Sequence, residues 1–278
     1  MYFRPTTLTE AVRALANPGA QILAGGTDFY PALGEGPVTG PIVDISAVNE
    51  LRGITRDETH YRIGGLTTWT QLIRAALPPC FDGLKAAARE IGGVQIQNRG
   101  TVAGNLCNAS PAADSVPPLL ALHAEVELAS PTGARRMPLR EFIVGKRKTQ
   151  RRPEEVLSQV LVPRTLERAN SVFLKLGSRR YLVISIAMVA VVILKDAAGN
   201  VADACVSVGS CSEVAQRLPE LEHALLGAPA SEGLGPLATV AHLSGLAPID
   251  DVRGTAAYRQ EAALQLVQRA LNACARAS

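Results

Sequence analysis

Asn98-Arg99-Gly100-Thr101-Val102-Ala103-Gly104-Asn105-Leu106-Cys107-Asn108-Ala109-Ser110-Pro111-Ala112-Ala113-Asp114 is polar and glycine-bearing, yet it sits between apolar segments. Such a stretch needs hydrogen-bond partners inside the fold, and a bound dinucleotide would supply them. Gly100 and Gly104 permit close backbone approach. Thr101, Asn105, Asn108 and Ser110 offer neutral donors and acceptors suited to phosphate and sugar.

Upstream, Leu23-Ala24-Gly25-Gly26-Thr27-Asp28 follows a short apolar run, Gln21-Ile22-Leu23, that reads as a strand. A double glycine between a strand and a helix start lets backbone N–H groups converge on an anion, and the Thr27 hydroxyl adds a donor. Asp28 repels a pyrophosphate directly and is expected to cap the following turn instead. Taken alone, this loop reads more readily as a plain tight turn. Neither loop has the G-x-G-x-x-G spacing of a Rossmann site or the pattern of a Walker loop, so a different dinucleotide fold is required.

Together, the first loop and Gly100-Thr101-x-x-Gly104-Asn105-x-x-Asn108-Ala109-Ser110-Pro111-Ala112-Ala113-Asp114 resemble the paired FAD motifs of the medium subunits of xanthine dehydrogenase and carbon monoxide dehydrogenase-type enzymes. The resemblance extends over nearly the whole chain. It takes in Phe3-x-Pro5, Ile63-Gly64, Phe173-Leu174-Lys175-Leu176-Gly177, and Pro248-x-Asp250-Asp251-x-Arg253 ahead of Ala257-Tyr258-Arg259.

The resemblance implies an α+β chain: a vanillyl-alcohol-oxidase-type (PCMH-type) FAD-binding fold, then a C-terminal antiparallel sheet with a helical bundle. It further implies that Ile22, Leu23, Ala24, Gly25, Gly26, Thr27 and Asp28 cradle the FAD pyrophosphate, helped by Thr101, Gly104, Asn105, Asn108 and Ser110. Asp114 is expected on the ribityl or ribose hydroxyls, and Gly65 and Ile91 near the flavin. Val156 and Leu157 are expected against the isoalloxazine ring, with Lys175 at its polar edge.

The sequence departs from the family pattern at three places. Ala103 replaces the first glycine of a Gly-Gly-Asn run. Ile91 offers no aromatic ring to stack on the flavin. Tyr181-Leu182-Val183-Ile184 replaces an acidic stretch of NAD-reducing relatives, which leaves the terminal acceptor open among NAD, oxygen, quinone and cytochrome.

Working outward, Thr7 and Glu10 fit a capping box before a helix with Leu8, Ala11, Val12 and Leu15 on one face. Residues 42–45 and 61–66 read as strands. Thr68 and Gln71 cap a helix through Leu77, stopped by Pro78-Pro79, and residues 84–91 form another. Further strands are expected at 125–128 and 156–162. Residues 172–176, 183–194 and 204–208 read as an antiparallel sheet, with a hairpin turn at Asp196-Ala197-Ala198-Gly199-Asn200. The longest uncharged apolar run, 181–194, reads as a buried strand. The tail is a helix burying Ala263, Leu266, Val267, Ala270, Leu271 and Cys274. A boundary near residue 165 divides an FAD-binding domain (1–165, with subdomains 1–50 and 51–165) from a C-terminal domain (166–278).

Composition excludes several classes. The net charge of +3 and 4% aromatic content argue against nucleic-acid binding. No apolar run reaches the roughly 20 residues of a membrane span, and the N-terminus lacks a signal-peptide pattern, so a cytoplasmic chain is expected. Five cysteines without C-x-x-C spacing suit packed, reduced thiols rather than a cluster site. Any iron–sulfur cluster is therefore expected on another chain, and the resemblance implies partner chains, a small subunit with [2Fe-2S] clusters and a large subunit with the molybdopterin cofactor, in a dimer of heterotrimers. The scattered histidines suggest no metal site, Trp69 suggests packing, and the basic run 145–152 suggests a solvated loop.

The function the resemblance implies is that of an FAD-carrying electron-transfer subunit. It passes electrons from iron–sulfur clusters to an external acceptor while a partner hydroxylates a purine-like N-heterocycle or an aldehyde. A stand-alone flavin oxidase of the vanillyl-alcohol oxidase type and an FAD-free interaction subunit are the alternatives.

Overall fold

The computed structural model describes residues 1–231 and 233–277. The capping box forms as expected: Thr7 Oγ1 accepts from the Glu10 N–H while the Glu10 carboxylate accepts from the Thr7 N–H, starting α1 (Leu8–Ala14). Ala11 and Val12 pack with Val43 and Ile45 in one buried cluster. Beneath lies a small parallel sheet of β1 (Tyr2–Phe3), β2 (Gln21–Leu23) and β3 (Ile42–Asp44), with β3 in the centre. Between β2 and β3 runs one short helix, α2 (Phe29–Leu33).

The second sheet begins with β4 (Ile54–Arg56) and β5 (His60–Gly64). The chain then winds through α3 (Trp69–Arg74), α4 (Asp82–Glu90), α5 (Val94–Arg99), α6 (Val102–Asn108) and α7 (Val116–Ala121). It returns as β6 (Glu125–Ser130) and β7 (Gly133–Pro138). After a single helical turn, α8 (Leu139–Phe142), come the hairpin β8 (Ile143–Gly145) and β9 (Lys148–Thr149) and then β10 (Val156–Pro163). The sheet order is β4-β5-β10-β6-β7. As the middle strand, β10 is buried along most of its length, which accounts for its Val/Leu-rich sequence.

The helix expected through Leu77 stops at Arg74. Thr68 and Gln71 do form its capping box, but Ala75 is already extended ahead of Leu77-Pro78-Pro79. Leu77 and Pro78 each precede a proline and are pushed out of the helical region, so the helix cannot run through Leu77; the Ala75 carbonyl accepts from Lys85 Nζ at 2.7 Å.

The third sheet is antiparallel: β11 (Asn170–Leu176), β12 (Ala187–Lys195), β13 (Val201–Gly209) and β14 (Gln216–Arg217), in that order. The expected turn joins β12 to β13, with Asp196 Oδ1 accepting from the Ala198 and Asn200 N–H groups. β12 is apolar without alternation because its two faces meet different cores. Met188, Ala190 and Val192 join the large core under the second sheet, while Ala187, Val189, Val191 and Ile193 meet the C-terminal helix. The helical layer is α9 (Pro219–Leu225) and the 21-residue α10 (Ala256–Arg276). All six residues expected on the buried face of α10 are buried.

The strand expected from residue 181 begins only at Ala187, which pairs with Leu176. Residues 177–186 instead form the β11–β12 loop. There Arg179 donates to the Leu182 carbonyl, Leu182 takes φ +51°, and Tyr181, Leu182 and Ile184 stand exposed. An uncharged run carries no mark of where strand pairing ends, so periodicity extended the strand too far.

Candidate functional site

The first glycine loop, residues 24–28, leaves the end of β2. Among the described residues, none accepts a hydrogen bond from the backbone N–H of Gly25, Gly26, Thr27 or Asp28. Four free donors on consecutive residues form a surface for an anion. The two glycines serve different purposes. A Cβ on Gly25 would lie 2.0 Å from the Arg99 carbonyl oxygen, so its absence lets the two loops touch. Gly26 has φ +78°, and a Cβ there would stand 2.8 Å from the Tyr30 ring.

Asp28 does not cap α2 as expected. Its backbone is helical (φ −112°, ψ −26°) rather than extended, and its carboxylate makes no cap hydrogen bond. Instead Asp28 Oδ1 accepts from Asn108 Nδ2 at 2.9 Å, and Asn108 Oδ1 accepts from the Arg147 guanidinium. These contacts tie the first loop to the second, and the second to the β8–β9 hairpin.

The second loop is largely helical. Thr101 caps α6, its Oγ1 accepting from the Gly104 N–H at 3.0 Å, so that N–H is engaged within the chain. Ser115 Oγ donates to Asn105 Oδ1 at 2.6 Å. Ala109, at φ +46°, closes the helix in the left-handed conformation. Trp69 N–H bonds the Gly100 carbonyl and Val102 N–H the Thr67 carbonyl, fixing this loop to the start of α3.

Between the loops opens a cavity of about 530 Å3. Ile22, Ala24, Gly25, Gly26, Thr27 and Asp28 line one side, and Thr101, Gly104, Asn105 and Asn108 another. Gly65, Ile91, Val156 and Leu157 complete the expected set. Gly65 donates to the Ser158 carbonyl at 2.7 Å, where the β10–β6 register shifts, and a Cβ on it would meet the Leu157 carbonyl at 2.3 Å.

Four expected residues stand outside this wall. Leu23 is buried at the end of β2. Ser110 turns back on its own loop, accepting from the Ala112 N–H. Asp114 and Lys175 face each other in a buried ion pair, Nζ to Oδ2 2.6 Å, and Ser185 Oγ donates to Asp114 Oδ1 at 2.5 Å. Both Asp114 oxygens are thus taken by protein groups, one by Lys175 on β11 and one by Ser185 in the β11–β12 loop. Burial raises the Asp114 carboxyl, against the pull of the Lys175 ammonium. Lys175 lines a second cavity of about 420 Å3, with Glu90, Arg179 and Arg180.

The structure also adds residues to the wall that the sequence did not single out, among them Ile45, Trp69, Ile96, Cys107 and Arg151. Trp69 is packed, as read, but also borders the cavity. The basic stretch is not simply solvated, since Arg147 reaches Asn108 and Arg151 enters the wall; a run of charges carries no sequence mark of which members turn inward. Burial pushes the Cys107 thiol up to about 11, leaving it protonated and a poor nucleophile. All five cysteines are free, and among the described residues no group of His, Cys, Asp and Glu is placed to hold a metal ion. No helix among the described residues is long and apolar enough to cross a membrane.

With this geometry in view, residues 1–165 match the family described as FAD binding domain in molybdopterin dehydrogenase. Residues 173–274 match the CO dehydrogenase flavoprotein C-terminal domain. The xanthine dehydrogenase FAD-binding subunit of Escherichia coli O157:H7 is 39% identical over 66% of this chain, a match that spans 65% of that relative's length. The carbon monoxide dehydrogenase medium chain of Hydrogenophaga pseudoflava is 31% identical over 98% of this chain and 96% of its own. The solved structure of reconstituted CO dehydrogenase from Oligotropha carboxidovorans superposes with a TM-score of 0.91 at 27% identity, covering 100% of this chain and 98% of that one. The two-loop cavity and the sheet-and-helix C-terminal half agree with these matches along the chain: it belongs to the FAD-binding subunits of the molybdopterin dehydrogenases, a family of oxidoreductases.

Proposed function

We propose that this chain holds FAD non-covalently in the cavity between its glycine loops and relays electrons from iron–sulfur clusters on a partner to an external acceptor. The observation that carries the reading is the row of four N–H groups, from Gly25 to Asp28 on the cavity wall, that have no acceptor among the described residues. These would hold the diphosphate, with Thr27, Thr101, Asn105 and Asn108 adding side-chain donors and acceptors. Val156 and Leu157 would give the ring system an apolar bed, near Ile91 and Gly65. Asp114 and Lys175 would act one layer back, by anchoring the β11–β12 loop. The cavity volume lies in the range of cofactor clefts, ~300–1,000 Å3.

Bound flavin would supply two-electron acceptance with stepwise release. The chain's own residues orient the cofactor and exclude water around it. Substrate conversion, of an N-heterocycle or an aldehyde, would belong to a molybdopterin-binding large subunit, and the [2Fe-2S] clusters to a small one, in a cytoplasmic dimer of heterotrimers. The FAD-binding domain would comprise residues 1–165 and the C-terminal domain 166–278. Native pull-down should recover both partners with iron and molybdenum. Full turnover of an organic substrate by the isolated, metal-free chain would refute the division of labour.

A further inference from the structure

An FAD diphosphate brings two negative charges into a cavity whose glycine loops offer it neutral donors. The described wall carries two charged side chains, the carboxylate of Asp28 and the guanidinium of Arg151. Asp28 opposes an anion, but its Oδ1 is engaged by Asn108, which in turn is held by Arg147.

Arg151 is built into place. It follows the β8–β9 hairpin and leads into β10, whose first residues, Val156 and Leu157, also line the cavity. Its Nη1 donates to three carbonyls, those of Arg152 at 3.0 Å, Pro153 at 3.2 Å and Glu155 at 2.8 Å. That fork fixes the half-buried side chain and leaves Nε and Nη2 without a protein acceptor among the described residues. Its charge reaches another residue of the wall, Cys107 on α6, where it pulls against the burial that raises the thiol.

We propose that Arg151 is the counter-charge for the diphosphate of the bound dinucleotide and selects FAD over shorter flavins, while the Arg147–Asn108–Asp28 chain clasps the hairpin across the two loops. This rests on the FAD reading above. A planar guanidinium with free N–H groups suits paired phosphate oxygens, and a charge-assisted hydrogen bond is stronger than the neutral contacts the loops provide.

The test titrates the full chain, stripped of flavin, with FAD and separately with riboflavin, following flavin fluorescence, on wild type, Arg151→Gln and Arg151→Lys. Circular dichroism checks each fold. Arg151→Gln should weaken FAD binding by about 10- to 100-fold while riboflavin affinity stays unchanged. Arg151→Lys keeps the charge but loses the paired donors, so it should keep a preference for FAD between that of the wild type and that of Arg151→Gln, with the salt dependence of the wild type. Unchanged FAD affinity in Arg151→Gln overturns the proposal while leaving the FAD reading standing. So does equal loss of FAD and riboflavin in both variants, since that would mark Arg151 as merely a loop brace. Should Arg151→Gln not fold, Arg151→Lys decides: a kept preference for FAD supports the counter-charge and a lost preference refutes it. A wild-type chain that takes neither flavin overturns both readings.

Discussion

Gly25 and Gly26 show how the fold can require a side chain's absence for two distinct reasons. Gly26→Val forces a β-branched residue to φ +78°, a strain of about 1–3 kcal/mol, and drives its Cβ into Tyr30. FAD occupancy should fall at least tenfold, measured as flavin absorbance per folded chain. Gly25→Ala should do the same through a different contact, the Arg99 carbonyl at 2.0 Å. At the second loop the reason shifts again. A Cβ on Gly104 lies 2.7 Å from Thr101 Oγ1, so Gly104→Val breaks the α6 cap, and Thr101→Ala should cost roughly 1 kcal/mol in denaturant melts. Ala103 lies inside α6, where glycine costs up to about 1 kcal/mol, so restoring the family's glycine there should slightly destabilise the loop. The glycines and neutral donors were legible in the sequence because residue type alone constrains them. The partner of Asp28 was not, because Asn108 reaches it across 80 residues of chain.

Among the elements, α10 and β12 were legible from periodicity, since burial on a helix face or a strand is written every 3.6 or two residues. Leu271 on α10 is fully buried against β12 and its neighbours, so Leu271→Ala should destabilise the chain by about 2–5 kcal/mol in chemical unfolding. Flavin affinity of the folded fraction should be unaffected. The turn before α10 adds a pH dependence. The Arg253 N–H and the guanidinium of buried Arg259 hold the Asp251 carboxyl down to about 2. A carboxylate lowered in the folded state stabilises above its unfolded pKa of about 3.9, and that stability is lost as pH falls towards about 2. Asp251→Asn should therefore lower the melting temperature near neutral pH and flatten the acid limb between those values. The β11–β12 loop was illegible for the opposite reason. Its shape is set by two residues reaching in from distant segments, Asp114, which accepts from the loop's own Ser185, and Arg259, which donates to the Ile186 carbonyl.

For the whole molecule, three buried clusters link the parts. The large core takes residues from the second sheet, its helices and the third sheet alike, so the site rests on a continuous support rather than on loops alone. A local change at Gly26, which lies in none of these clusters, should empty the site without unfolding the C-terminal sheet, because that sheet has a separate core against α10. The exposed Tyr181, Leu182 and Ile184 mark the surface beside the second cavity as apolar, a feature the sequence showed as an apolar run but misplaced as interior. The central claim is that the cavity between the glycine loops holds FAD without a covalent bond. It is tested most directly by acid precipitation of the natively purified chain, with flavin measured in both fractions. About one FAD per folded chain should be released into the supernatant, while flavin retained on the precipitate, or well-folded protein with none, would contradict the claim.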